Sequence, residues 1–380
     1  MTRRQYLQAK TRNPAFLWRM VIGILAAGVA IGLVVDGVTT AWIEVDEQTG
    51  EVTPAPDAKP HSSDWDQLER FADHGDWRAV WRGIPMMLVR SWDEWGVTSL
   101  AVLTGVCWLA FILQAIQIRS YRDHRLWLPL VGVLMGILSI WPTVFLILWQ
   151  ERQWGIEDSD ELINGLRFMI AGVAFREELS KFMCFLPLLP WIVRQRDELA
   201  ALLVAGSVGI GFAMEENVNY IGGSVGSATL IRLLMPAPLH MAMTGLIGLA
   251  AYRACVWPRQ CGPQFFAVFG VVVLAHALYN SFAGIPALAD YSIVSPLIFI
   301  FLIYQFFREL RPNQSLRVDT ISLTANFLFC VSTVAAATFI YLCASVGWRM
   351  AGDVLVAGIA TESIMVYLFL REMPERMVGV

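Results

Sequence analysis

Glu177 and Glu178 sit inside the apolar stretch AGVAFREELSKFMCFLPLL, with Lys181 one helical turn on. Carboxylates in hydrocarbon cost several kcal/mol each, roughly, so they are seldom placed there without a task. Three further apolar stretches carry matching polar groups: GFAMEENVNYI with Glu215, Glu216 and Asn217, APLHMAMTG with His240, and VLAHALYNSF with His276 and Asn280. Of the five histidines only these two lie in apolar segments. A carboxylate beside a histidine in a dry pocket can hold and deprotonate water. Asn280 and one histidine can donate to a developing oxyanion. Two histidines plus a glutamate also make a His₂Glu zinc set with one open position. HExxH is absent, as is a paired GxGD-type aspartate signature, which excludes a zincin helix, and no Ser-His-Asp constellation lies in the apolar stretches.

Helical spacing decides which groups can meet. Lys181 lies four residues from Glu177 and three from Glu178, so it can partner either. His276 and Asn280 share a face, as do Glu216 and Tyr220. Pro236 and Pro238 precede His240 and predict a loosened helix there. At ~1.5 Å per residue, the four groups fall between mid-membrane and the outer third and can converge on one site. Each alone has a plainer reading: a structural ion pair, or interhelical glue. Four on four successive apolar stretches argue for a functional site. Arg176 and Arg232 read as partners for acidic groups or as interfacial residues.

The elements that must position these groups are membrane helices. The 380 residues are 56% hydrophobic and 16% charged, with mean hydropathy +0.55, more apolar surface than a soluble chain can hide. Hydropathy predicts an all-α bundle of about ten spans: 20–43, 96–118, 126–149, 163–193, 199–221, 229–251, 264–284, 290–307, 320–347 and 354–370. Basic residues alternate between loops, 17 on one side and seven on the other, which predicts both termini in the cytoplasm. The first span reads as an uncleaved anchor. The organisation expected is a basic segment and first span (1–43), an outer loop (44–95), two spans (96–160), a four-helix catalytic core (163–285) and C-terminal spans (286–380). The outer loop is acidic and Pro-rich at first. Trp77, Trp81, Trp92 and Trp95 then stand among arginines, which predicts an interfacial helix able to gate the site. Gly28 and Gly32 predict close packing within the bundle, as does GSVGIG at 206–211, which no strand precedes. The six cysteines form no CxxC pair and read as small apolar residues. No internal repeat supports an inverted-repeat transporter.

EExxK at 177–181, FAxEENxxY at 212–220, the Pro-preceded His240 and HAxxN at 276–280 resemble the PrsW family of glutamate-dependent intramembrane proteases, related to CAAX prenyl endopeptidases. The resemblance covers about 163–285. It implies that Glu177 activates water as general base and that Glu178 supports it or binds metal. His240 would complete the water or metal site, and His276 and Asn280 would polarise the scissile carbonyl. Glu216 and Asn217 would line the site and Lys181 would neutralise a carboxylate. The metal set implied is Glu178, His240 and His276, with zinc as the candidate cofactor. Lys181 departs from the EExxxR spacing of the prenyl-protease branch, and Glu215-Glu216 leaves open which glutamate takes the family position. The substrate implied is a single-span membrane regulator such as an anti-sigma factor, in a bacterial inner membrane, with the lipid bilayer and no nucleic acid as further partner. The alternatives are a CAAX-type prenyl endopeptidase and a non-catalytic transporter or scaffold with a polar core.

Overall fold

The computed structural model describes residues 3–42, 62–116, 126–221, 235–313 and 321–373. Among them the regular structure is helical, with no strand. The helices are α1 (Arg3–Lys10), α2 (Pro14–Trp42), α3 (Ser62–Asp73), α4 (Trp77–Ser91), α5 (Trp95–Ala115) and α6 (Trp127–Trp154). Next come α7 (Leu162–Arg167), a π-helical stretch (Phe168–Ala174), α8 (Phe175–Phe185), α9 (Leu189–Gln195) and α10 (Glu198–Ile221). The chain continues with α11 (Pro236–Val256), α12 (Pro258–Gly284), α13 (Val294–Leu310), α14 (Leu323–Val346) and α15 (Trp348–Glu372).

Seven of these helices are long and apolar enough to cross a membrane (α2, α5, α6, α10, α11, α12 and α14), and α15, bent by 41°, makes an eighth if counted as one span. The chain is therefore an integral multi-pass membrane protein, with fewer such helices than the ten predicted. The stretch 163–193 divides at the π-helix and again after Phe185, and its charged residues interrupt the apolar run. The stretch 290–307 supplies only the 17 residues of α13, fewer than the ~20 a span needs.

The core is built around α10, whose residues from Ala200 to Ala213 are buried throughout. It packs most extensively on α11 and α6. Missing side chains make that packing possible. A Cβ at Gly211 would stand 2.0 Å from the Val133 carbonyl oxygen of α6, and one at Gly209 would stand 2.1 Å from the His240 carbonyl oxygen of α11. The glycine run read as a packing device thus seats α10 between two neighbours, and at Gly209 it sets the backbone of His240 itself. Gly28 and Gly32 do the same for α2 on α14, where added Cβ atoms would meet Ala336 and Phe339. That is packing within one chain, as expected.

The part of the expected outer loop that lies among the described residues forms the α3–α4 hairpin; 44–61 fall outside them, as do Arg232 and the side chain of Tyr220. Val80 and Ile84 of α4 join Ile140, Val144 and Leu148 of α6 in one apolar cluster. Trp81 packs on Trp141 at 4.8 Å, and the Trp141 indole donates to the Trp81 carbonyl at 3.0 Å. The helix is not merely resting on a lipid surface; one face is bound into the bundle.

Replacing Gly211 by Val should destabilise the purified protein by about 1–3 kcal/mol, the usual cost of overpacking. Thermal unfolding in detergent measures it. An unchanged midpoint would mean that α6 and α10 can separate freely, contrary to this packing.

Candidate active site

The π-helical stretch ends at Ala174, two residues before Arg176 and three before Glu177. Each residue inserted into α-helical register rotates the remainder of the helix by about 100°. The wide turn therefore sets which face Glu177, Glu178 and Lys181 present, and all three turn inward to burial. His240 is the fifth residue of α11. The prolines expected to kink its helix instead start it: Pro236 and Pro238 lie in the first turn, where a missing N–H costs little. His240 thus sits about 6 Å from the start of its helix, nearer an end than hydropathy suggested. Glu216 lies near the end of the preceding helix, so α10 and α11 bring the two side chains together from adjacent ends.

The four sequence motifs converge. Lys181 Nζ donates to Glu178 Oε1 at 2.7 Å and contacts His240 Nδ1 at 2.7 Å. It lies 3.8 Å from Glu177 Oε2 and 4.0 Å from the centre of the Phe212 ring. An ammonium only donates, so Nδ1 of His240 accepts and the ring proton rests on Nε2. That Nε2 is 2.6 Å from Glu216 Oε2, which accepts it. His276 Nδ1 meets Glu178 Oε1 at 3.0 Å. The carboxylate accepts there, so His276 carries a proton on Nδ1, and the neutral ring keeps its lone pair on Nε2. That nitrogen stands 3.7 Å from Glu177 Oε2. Two acceptors therefore face each other, too far apart for a direct hydrogen bond, and Glu177 Oε2 is buried with no hydrogen-bond partner.

Such an arrangement calls for a proton donor or a cation between the two acceptors. Glu177, His240 and His276 each offer a ligand atom, all within 4.8 Å of one another. This donor set suits zinc. His240 could join such an ion only by giving up Lys181 or Glu216, since both its nitrogens are engaged. The glutamate in this set is Glu177, where the sequence pattern pointed to Glu178. The reason is local: Glu178 Oε1 is taken by Lys181 and His276, so Glu178 orients the ring, while Glu177 Oε2 has no hydrogen bond.

Three other residues divide differently from expectation. Glu216 takes the place beside His240, and Glu215 points the other way, accepting from Ser91, Trp92 and Asn219. Asn217 is buried on α10, and Asn280 is half-buried one turn beyond His276. Neither enters the hydrogen bonds that join the site among the described contacts. Phe212 enters the sequence pattern only as a letter of the FAMEEN run; its ring underlies Lys181 and lies 5.1 Å from the His240 ring. Its spacing, four residues before Glu216, was the available signal.

Residues 124–306 match the PrsW family of intramembrane metalloproteases, and all the site residues lie within them. This stretch carries the domain of that family of peptidases. Searches of curated proteins and of solved structures find no match.

Removing the Lys181 ammonium should leave Glu178 buried and uncompensated. Lys181→Met is expected to cost about 3–5 kcal/mol and to lower the yield of folded protein. Adding Glu178→Gln to it should recover much of the loss in thermal unfolding. No recovery would show that the lysine stabilises the site through His240 or Phe212 instead.

Proposed function

We propose that this peptidase cleaves a single-span membrane regulator within or beside the bilayer, with Glu177 as the base that activates water. The observation that supports this most directly is the Glu177 oxygen, buried, without a hydrogen bond, and facing the lone pair of His276. A water entering between them would donate to one and be deprotonated by the other. Glu178 holds the His276 ring through Nδ1, the outer-sphere arrangement that fixes a histidine tautomer. With its proton committed there, His276 offers a lone pair rather than a donor, so it acts as ligand or acceptor, not as the polariser of the scissile carbonyl. Asn280, on the same helix face, is the better candidate for that donor. Lys181 holds the local charge balance and orients His240. Where a metal is bound, Glu177, His240 and His276 would hold it, and it would supply Lewis-acid polarisation and a more acidic water.

The basic-residue alternation supports cytoplasmic termini, and the family resemblance supports a bacterial inner membrane. The substrate class rests on the family resemblance together with a site enclosed by apolar helices, which suits a segment that is itself apolar. Lysine at 181 rather than the EExxxR spacing favours this over a prenylated substrate.

Co-expression with tagged single-span membrane proteins of the same genome tests the proposal. Wild type should release a fragment that Glu177→Ala and His240→Ala, at equal protein levels, do not. Loss of the base should lower the rate by about 10²–10⁴-fold. In detergent, a zinc chelator should abolish cleavage and added zinc should restore it. Fragments of equal yield from wild type and both variants would refute the assignment.

A further inference from the structure

Glu215 is a buried carboxylate that the proposed chemistry does not use. Its partners are neutral donors on a distant part of the chain and on its own helix. The Trp92 indole Nε1 donates to Oε2, Ser91 Oγ to Oε1 at 3.3 Å, and Asn219 Nδ2 to Oε1 at 3.3 Å. Ser91 ends α4 and Trp92 caps it, so this is where the hairpin meets the site helix. Trp92 is itself fixed, because its carbonyl accepts from Thr98 Oγ1 of α5 at 3.0 Å.

Glu215 and Glu216 are neighbours on α10, about 100° apart around its axis. Glu215 points to the end of α4, and Glu216 points to His240. Any rotation of that turn moves both carboxylates together. A second contact lies one turn earlier: Val80 and Ile84 of α4 share an apolar cluster with Phe212. The Phe212 ring is the one beneath Lys181 and beside His240. The hairpin therefore meets α10 directly at Glu215 and shares an apolar cluster with it at Phe212, one turn earlier. Packing alone would not require a carboxylate here. Val218, three residues on, meets Val97 and Leu100 of α5 through apolar contact only. Hydrogen bonds add direction, which is what holding a rotation needs.

We propose that Trp92 and Ser91 are positioning residues for the peptidase site: they hold Glu215 and thereby fix the turn of α10 that presents Glu216 to His240. The inference rests on reading the Glu216–His240 pair as part of that site. Ser91 and Trp92 lie outside the stretch that matches the family, so the hairpin is this chain's own means of setting a residue within it.

The test reads geometry and needs no substrate. Purified protein in detergent is treated with diethyl pyrocarbonate, and modification of His240 and His276 is followed by mass spectrometry. In wild type both imidazoles are buried and should react slowly. Trp92→Phe keeps an aromatic ring and removes the N–H. It should expose His240 to modification about fivefold faster, as local opening does, with the melting temperature unchanged and His276 little affected. Glu215→Gln keeps an acceptor oxygen for the indole and should stay near wild type, whereas Glu215→Leu should behave as Trp92→Phe. Where Trp92→Phe does not accumulate, Ser91→Ala removes only the longer bond, and about a twofold rise decides the question. Wild-type His240 reactivity in Trp92→Phe, or in Ser91→Ala where that variant stands in for it, overturns the proposal. Equal rises at His240 and His276 would indicate general loosening and overturn it too. If no substrate is cut by wild type while His240 responds as described, the function reading fails and the positioning role stands.

Discussion

Lys181 carries an ammonium with no access to solvent, and its hydrogens must find partners inside the bundle. Glu178, His240 and the face of Phe212 supply them, with Glu177 a little farther off. A buried ion pair repays its desolvation only when the geometry is good and the remaining polar atoms are satisfied. That requirement reaches outward through the site. It fixes the proton of His240 on Nε2, which draws in Glu216, and it shares Glu178 with His276, which frees the other nitrogen of that ring. Three helices besides α8 are thereby held in register by a single charged side chain.

The backbone meets this demand with unusual local structure. Seven residues of π-helix precede the paired glutamates, and glycines let α10 approach both of its neighbours closely. In an apolar solvent, helix association gains little from burying apolar side chains, so close backbone approach and polar contacts carry more of the load. Gly209 shows the two combined, since the backbone it admits belongs to His240. The scaffold and the site are therefore not separable here. A change that widens the α10–α11 contact also moves the imidazole.

The same arrangement leaves one oxygen of Glu177 and one of Glu178 buried without a hydrogen bond. Glu177 Oε2 and, in the neutral ring, Nε2 of His276 face each other as acceptors. A site with every group paired would be inert; this one presents acceptors that a water or a cation could satisfy, one of them on a carboxylate able to act as base. Enclosure by the bundle makes each such interaction stronger than it would be in water.

The sequence by itself determined the chemical inventory. Carboxylates, a lysine and two histidines in apolar stretches are costly enough that their positions announce a site, and helical spacing pairs Lys181 with both glutamates. The close packing at GSVGIG and at Gly28–Gly32 was legible for a similar reason: small residues at helical intervals have few other uses in a membrane helix. Span count was less legible, because hydropathy does not register a π-helical turn, a break after Phe185, or prolines that start a helix rather than bend it. Only the tertiary structure decided which atoms face which. Glu177 and Glu178 are chemically identical neighbours, as are Glu215 and Glu216. What separates the members of each pair is about 100° of helix rotation and the partners that rotation meets. Those partners come from other helices, up to 124 residues away in the chain, a distance over which one-dimensional spacing carries no information.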